Sequence, residues 1–105
     1  IELFELLEAF SLVLAKVPFE RFHDVISETI SVAERIGRIL DLIDQSESVL
    51  FDDLFKEEIV TRELVIATFL ALLELCRLQS VKVAQGSSFG TIYLMRGSEQ
   101  ISGEI

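Results

Sequence analysis

The sequence holds one cysteine, one histidine, one proline and one methionine, and only nine Lys and Arg against 18 Asp and Glu. The resulting formal net charge of −9 argues against a DNA-backbone partner, because gripping phosphates calls for clustered basic residues. It leaves protein partners open. A single Cys76 excludes an internal disulfide framework. It lies within an apolar run and reads as a small buried hydrophobe with a protonated thiol, which suits a reducing cytoplasm. One histidine, His23 beside Asp24, makes neither a catalytic dyad, which needs a nucleophile and an orienting geometry, nor, with one cysteine, a zinc site. The acidic run Asp52, Asp53, Glu57 and Glu58 lacks calcium-loop spacing. Gly86 to Gly90 lacks the lysine and spacing of a phosphate loop. No catalysis, cofactor or metal is therefore expected. No apolar run approaches the roughly 20 residues of a membrane helix. The opening Ile1 to Glu5 carries acids where a secretory signal carries bases. Met95 as the only methionine marks the chain as a segment of a longer protein.

What is present is enough for one packed domain: 105 residues, half of them apolar. Residues 1 to 17 read as a helix, with Ile1, Phe4, Leu7, Phe10, Val13 and Leu14 on one side and Glu2, Glu5 and Glu8 opposite. Pro18 ends it. Residues 19 to 30 form a connector in which Val25, Ile26 and Ile30 favour a short extended piece. Ser31 and Glu34 fit a capping box ahead of an apolar stripe, Ile36, Ile39, Leu40, Leu42 and Ile43, that runs to about Asp44. Val49-Leu50-Phe51 is β-like, and Asp52 or Asp53 can cap a short helix carrying Leu54 and Phe55. A further helix spans Thr61 to Leu78. The period then becomes two, at Val81 and Val83 and again at Ile92 and Leu94, around a glycine-flanked turn, which reads as a hairpin. Residues 97 to 105 read as a flexible tail. The order predicts a mostly α fold with a small β wing: a winged-helix domain over 31–96, preceded by one long helix and connector over 1–30.

The helix over 61–78 carries more apolar residues than one buried face needs. Val65, Leu72, Cys76, Phe69, Leu75, Leu64, Ala71 and Leu78 fill one broad arc. On the other side Ile66, Leu70, Leu73 and Arg77 form a second strip at spacings of three and four. In DNA-binding winged helices this element reads bases. Here it offers only Arg62 and Arg77, offset by Glu63 and Glu74, and lacks a base-reading set. The second strip is either covered by helix 1 to 17 or forms a docking face for another protein.

Several segments together resemble the C-terminal domain of the bacterial kleisin family of segregation and condensation protein A. They are Ser31-Val32-Ala33-Glu34-Arg35-Ile36 with Ile39-Leu40, the run from Thr61 to Leu75, and Val81 to Gln85 followed by Phe89-Gly90-Thr91-Ile92. Leu7 to Phe10 and Val25 to Ile30 also fit. The resemblance covers about residues 30 to 95 and, more weakly, 1 to 29. It implies a non-catalytic adaptor that docks on the head of an Smc ATPase, in a cytoplasmic, nucleoid-associated complex that condenses and segregates the chromosome. A second partner, segregation and condensation protein B, is implied mainly for regions upstream of this chain. Direct nucleic-acid or membrane contact is not implied. By the same resemblance Phe69, Leu70 and Leu73 take part in head binding. With the strip and the wing strand added, the expected partner-binding set is Ile66, Phe69, Leu70, Leu73, Arg77 and Tyr93. The alternatives are a DNA-binding winged-helix regulator and a helical dimerisation module.

Overall fold

The computed structural model describes residues 3–17, 31–56, 59–86 and 91–98. The described residues hold three helices, α1 (Leu3–Ala15), α2 (Val32–Gln45) and α3 (Arg62–Arg77). They also hold three strands, β1 (Ser48–Leu50), β2 (Val81–Gln85) and β3 (Ile92–Arg96), with a 3-10 turn over Phe51–Phe55 between β1 and α3. The last strand in sequence is the central one: β3 pairs antiparallel with β1 and with β2. Leu94 stands opposite both Val49 and Val83, and Tyr93 opposite Leu50 and Ala84. This is a winged helix, mostly α with a β wing. The expected connector over 19–30, with Pro18 and His23, the residues between Gly86 and Thr91, and most of the tail lie outside the described residues.

Local chemistry starts the helices where the sequence indicates. The Ser31 hydroxyl accepts the N–H of Glu34 at 2.9 Å, and the Thr61 hydroxyl accepts that of Leu64 at 3.1 Å. Each satisfies a donor that the first helical turn leaves without a backbone acceptor. The acidic pair acts differently from expectation. The short helix is a 3-10 turn that begins at Phe51, so neither Asp52 nor Asp53 caps it from outside; Asp53 reaches back instead and accepts the N–H of Leu50 at 3.3 Å.

One core joins all these elements. Leu6, Phe10 and Val17 from the first segment share it with Ile39 and Ile43 of α2, Leu54, Val65, Leu72 and Leu75, and Leu94 of the sheet. Phe10 is the key of the α1 contact: its ring stands edge-on to Phe51 and Phe69 at 4.9 Å each, and to Phe55 at 6.2 Å. Spacing predicts Phe4 and Leu7 on the buried side of this helix. In the structure Leu6 occupies that side, and Phe4 and Leu7 are exposed. Leu6, Phe10, Val13 and Val17 form an equally periodic stripe, and packing into the shared core selects it.

A buried arginine ties three elements together. Arg35 is only 4% exposed. Its Nε donates to Thr68 Oγ1 at 2.8 Å and its Nη2 to the Leu54 carbonyl at 2.9 Å, while Thr68 Oγ1 donates to the Leu64 carbonyl at 2.7 Å. Such bonding is the condition on which a charged head tolerates burial.

The corner from α3 into β2 is tight. Gln79 takes a positive φ of 62°, costly for a residue with a Cβ. Gly97 passes so close that an added Cβ would lie 2.2 Å from the Gln79 carbonyl oxygen. The first two residues of the expected tail are held here: Gly97 N–H donates to Ser80 O at 2.9 Å, and Ser98 Oγ to Gln79 Oε1 at 3.0 Å.

Candidate docking surface on the third helix

The face that α3 presents is decided by what its other faces bury. Leu64, Val65, Ala67, Thr68, Ala71, Leu72 and Leu75 are buried against α2 and the sheet. Phe69 and Leu73 are half-buried and pack against the core. The Phe69 ring meets Phe10 of α1, and Leu73 shares a shallow cavity with Leu3, Leu6 and Cys76. Burial pushes the Cys76 thiol above its ordinary pKa, as desolvation of a thiolate requires.

The expected strip therefore divides. Of the four residues that could lie under α1 or stay free, Leu73 lies against α1, while Ile66 and Leu70 remain 39% and 46% exposed. Arg77 closes the strip on the solvent side. Its Nε and Nη2 bind the Glu74 carboxylate at 3.1 and 2.5 Å, a geometry suited to the planar guanidinium. That hydrogen bond, aided by charge attraction, holds the Glu74 carboxyl below its usual pKa and raises that of Arg77. Both groups face solvent, so the pair orients Arg77 more than it stabilises the fold.

Tyr93 belongs elsewhere. It is half-buried on β3, on the face of the sheet opposite Leu94, with Leu50 and Ala84 as its cross-strand neighbours. Leu94 points into the core shared with α3, so Tyr93 and the α3 strip lie on separate surfaces. Ile66, Leu70 and Arg77 lie along one outward side of α3; Phe69 and Leu73 form the seam with α1; Tyr93 stands apart.

Sequence reasoning missed an apolar surface on α1. Leu3, Phe4 and Leu7 are 61%, 74% and 44% exposed. Phe4 and Leu7 were expected in the buried stripe, so their outward position was hidden by a periodicity that fits two faces equally well. The surplus of leucine and phenylalanine over what one face requires is the signal that could have exposed it.

Among the described residues no three of His, Cys, Asp and Glu come together to hold a metal ion. No described helix is long and apolar enough to cross a membrane. What the arrangement can do is bury apolar side chains against another surface.

Comparison with known proteins identifies the lineage. The family model described as Segregation and condensation protein ScpA matches residues 1–96. Proteins named segregation and condensation protein A are similar in sequence. That of Myxococcus xanthus is 32% identical over 92% of this chain and 34% of its own length. That of Coxiella burnetii is 36% identical over 89% of this chain and 35% of its own length. That of Listeria monocytogenes serotype 4a is 33% identical over 97% of this chain and 42% of its own length. The chain thus spans between 34% and 42% of the length of these relatives. With a winged helix whose third helix exposes apolar residues, and a family match over nearly its whole length, this chain belongs to the segregation and condensation protein A family.

Proposed function

We propose that this chain is a non-catalytic adaptor module that docks on the head of an Smc ATPase, within the complex that condenses and segregates the bacterial chromosome. The observation that carries the reading is the outward pair Ile66 and Leu70 on α3, on the helix that reads DNA in other winged helices. An exposed apolar pair with one oriented arginine at its edge suits a protein interface, in which a few desolvated anchors supply most of the affinity inside a polar rim. The chain's net charge of −9 favours this over phosphate binding. Arg77 is the rim residue, and Tyr93 belongs to a secondary contact on the outer sheet face. Segregation and condensation protein B engages the parent protein mainly through regions upstream of this chain. The module needs no cofactor and acts in the cytoplasm, at the nucleoid.

The test is Leu70→Glu in the full-length protein. Head binding, measured by calorimetry or interferometry against a purified Smc head, is expected to be lost. Circular dichroism and the melting temperature are expected to stay close to those of the parent. Normal binding by the folded variant would refute the assignment.

A further inference from the structure

β2 keeps an open edge on the side away from β3. Gly97 N–H donates to Ser80 O at 2.9 Å at one end of the β2–β3 ladder, and Gly86 N–H to Thr91 O at 3.0 Å at the other. Facing residues of an antiparallel pair alternate between bonded and unbonded pairs. Counted in from both ends, Lys82 and Ala84 bond β3, while Val81 and Val83 direct their N–H and C=O groups outward. Those groups find no hydrogen-bond partner among the described residues. Val81 is only 3% exposed, so water has little access to it, and an unpaired backbone group in such a place calls for a partner.

Two open clefts follow this edge. One, of about 390 Å³, is lined by Leu3, Leu6, Leu73, Cys76 and the run Val81 to Val83. Side chains of successive strand residues alternate between faces, so a cleft that meets three in a row runs along the edge of the strand. The other, of about 490 Å³, is walled by Gln79, Arg96, Gly97 and Ser98, and shares Cys76, Val81 and Lys82 with the first. The described chain ends at Ser98, on the wall of this second cleft.

We propose that residues 99–105 form a fourth strand on the outer edge of β2, parallel to it, with their backbone on Val81 and Val83 and Ile101 turned into the cleft beside Leu6 and Cys76. Reach, pattern and charge select this occupant. The added strand and β3 flank β2 two strand spacings apart, about 10 Å. Residues 97 to 100 cover that distance at about 3.3 Å per residue. The sequence from Glu99 to Ile105 alternates: Ile101, Gly103 and Ile105 fall on one face, and Gln100, Ser102 and Glu104 on the other, the period of a strand with one buried side. Lys82 is exposed and has no acidic partner among the described residues. It stands on the sheet face that Gln100, Ser102 and Glu104 would share. Such a strand closes an edge otherwise open to pairing with other chains.

The experiment compares Ile101→Cys with Ser102→Cys in the full-length protein under mild oxidation, with disulfides mapped by mass spectrometry. Ile101→Cys is expected to bond Cys76 within one chain, since a disulfide needs Cα atoms within about 7 Å. Ser102→Cys, on the opposite face, is expected to bond it at least tenfold more slowly. A chain ending at Ser98 gives an independent measure. Its Val81 and Val83 amides are expected to exchange with deuterium at least tenfold faster than in the parent, with the melting temperature close to the parent's. Ile101→Asp in the whole chain gives the same exchange readout should the shortened chain melt early. Absence of the Ile101→Cys disulfide, equal rates for the two variants, or exchange unchanged by truncation and by Ile101→Asp would overturn the proposal. So would a disulfide between two chains, which assigns the edge to a second copy, or protection that appears only when another protein is added, which assigns it to that partner.

Discussion

Replacing Thr68 by Val tests whether the buried arginine network holds the helices together. The two side chains have nearly the same shape, so packing is retained while the hydroxyl is lost. Arg35 Nε then loses the acceptor it has at 2.8 Å, and the Leu64 carbonyl loses a donor at 2.7 Å. Thr68 is fully buried, so water cannot replace either bond. A hydrogen bond to a charged group contributes about 1.5–3 kcal/mol, and the additional buried methyl returns about 0.8 kcal/mol. The expected net loss is therefore about 1–2 kcal/mol. For a domain of this size that lowers the melting temperature by about 5–15 °C. In urea the midpoint should fall with the slope unchanged. Thr68→Ser, which keeps the hydroxyl, should lose less than Thr68→Val. A double-mutant cycle with Arg35→Met should give a coupling energy of at least about 0.5 kcal/mol. If Thr68→Val is neutral, or if the cycle shows no coupling, the network does not carry the stability assigned to it.

Three further outcomes follow from other parts of the molecule. Gly97→Ala should destabilise the fold by about 1–3 kcal/mol in urea titrations, since its methyl meets the Gln79 backbone at 2.2 Å and backbone cannot give way cheaply; an unchanged midpoint would contradict the close approach. Cys76 should react with iodoacetamide at pH 8 more slowly in the folded protein than in urea, because burial raises its pKa and lowers the thiolate fraction at that pH; equal rates would place the thiol in open solvent. In a low-salt gel shift, where phosphate contacts are strongest, the protein should not retard duplex DNA; tight binding that salt abolishes would favour a DNA-binding regulator over the adaptor.

Much of the fold was legible because its signals are local. Ser31 and Thr61 mark helix starts with hydroxyls that bond three residues on, and the change of period after Leu78 marks the hairpin whichever elements surround it. The 3-10 turn was displaced because Asp53 bonds backwards to Leu50, a choice the acidic run alone does not dictate. The face of α1 was not legible: two apolar stripes share that helix, and only the tertiary partners Phe69 and Phe51 decide between them. Arg35 was missed for a related reason. It stands one turn before Ile39 and two before Ile43, on the core side of α2, but a charged residue there reads as surface until Thr68 and the Leu54 carbonyl are brought to it. On α3 the surplus strip was visible in the sequence, while its division into a covered Leu73 and open Ile66 and Leu70 depended on where α1 lies. Tyr93 was placed in the expected set by its position in the wing, and strand alternation puts it on the far face.

The placement of β3 has a consequence for how the chain can be made. Both outer strands wait for the last one: β1 is complete at Leu50 and β2 at Gln85, and neither has a neighbour until Ile92 to Arg96 has been synthesised. Closing β1 onto β3 joins residues more than 40 positions apart, a loop whose entropy must be met before any strand pairing stabilises it. During translation the three helices can therefore gather while the sheet cannot exist. A chain stopped before Ile92 would hold two unpaired edges beside an exposed core, the form that quality-control proteases and aggregation both recognise.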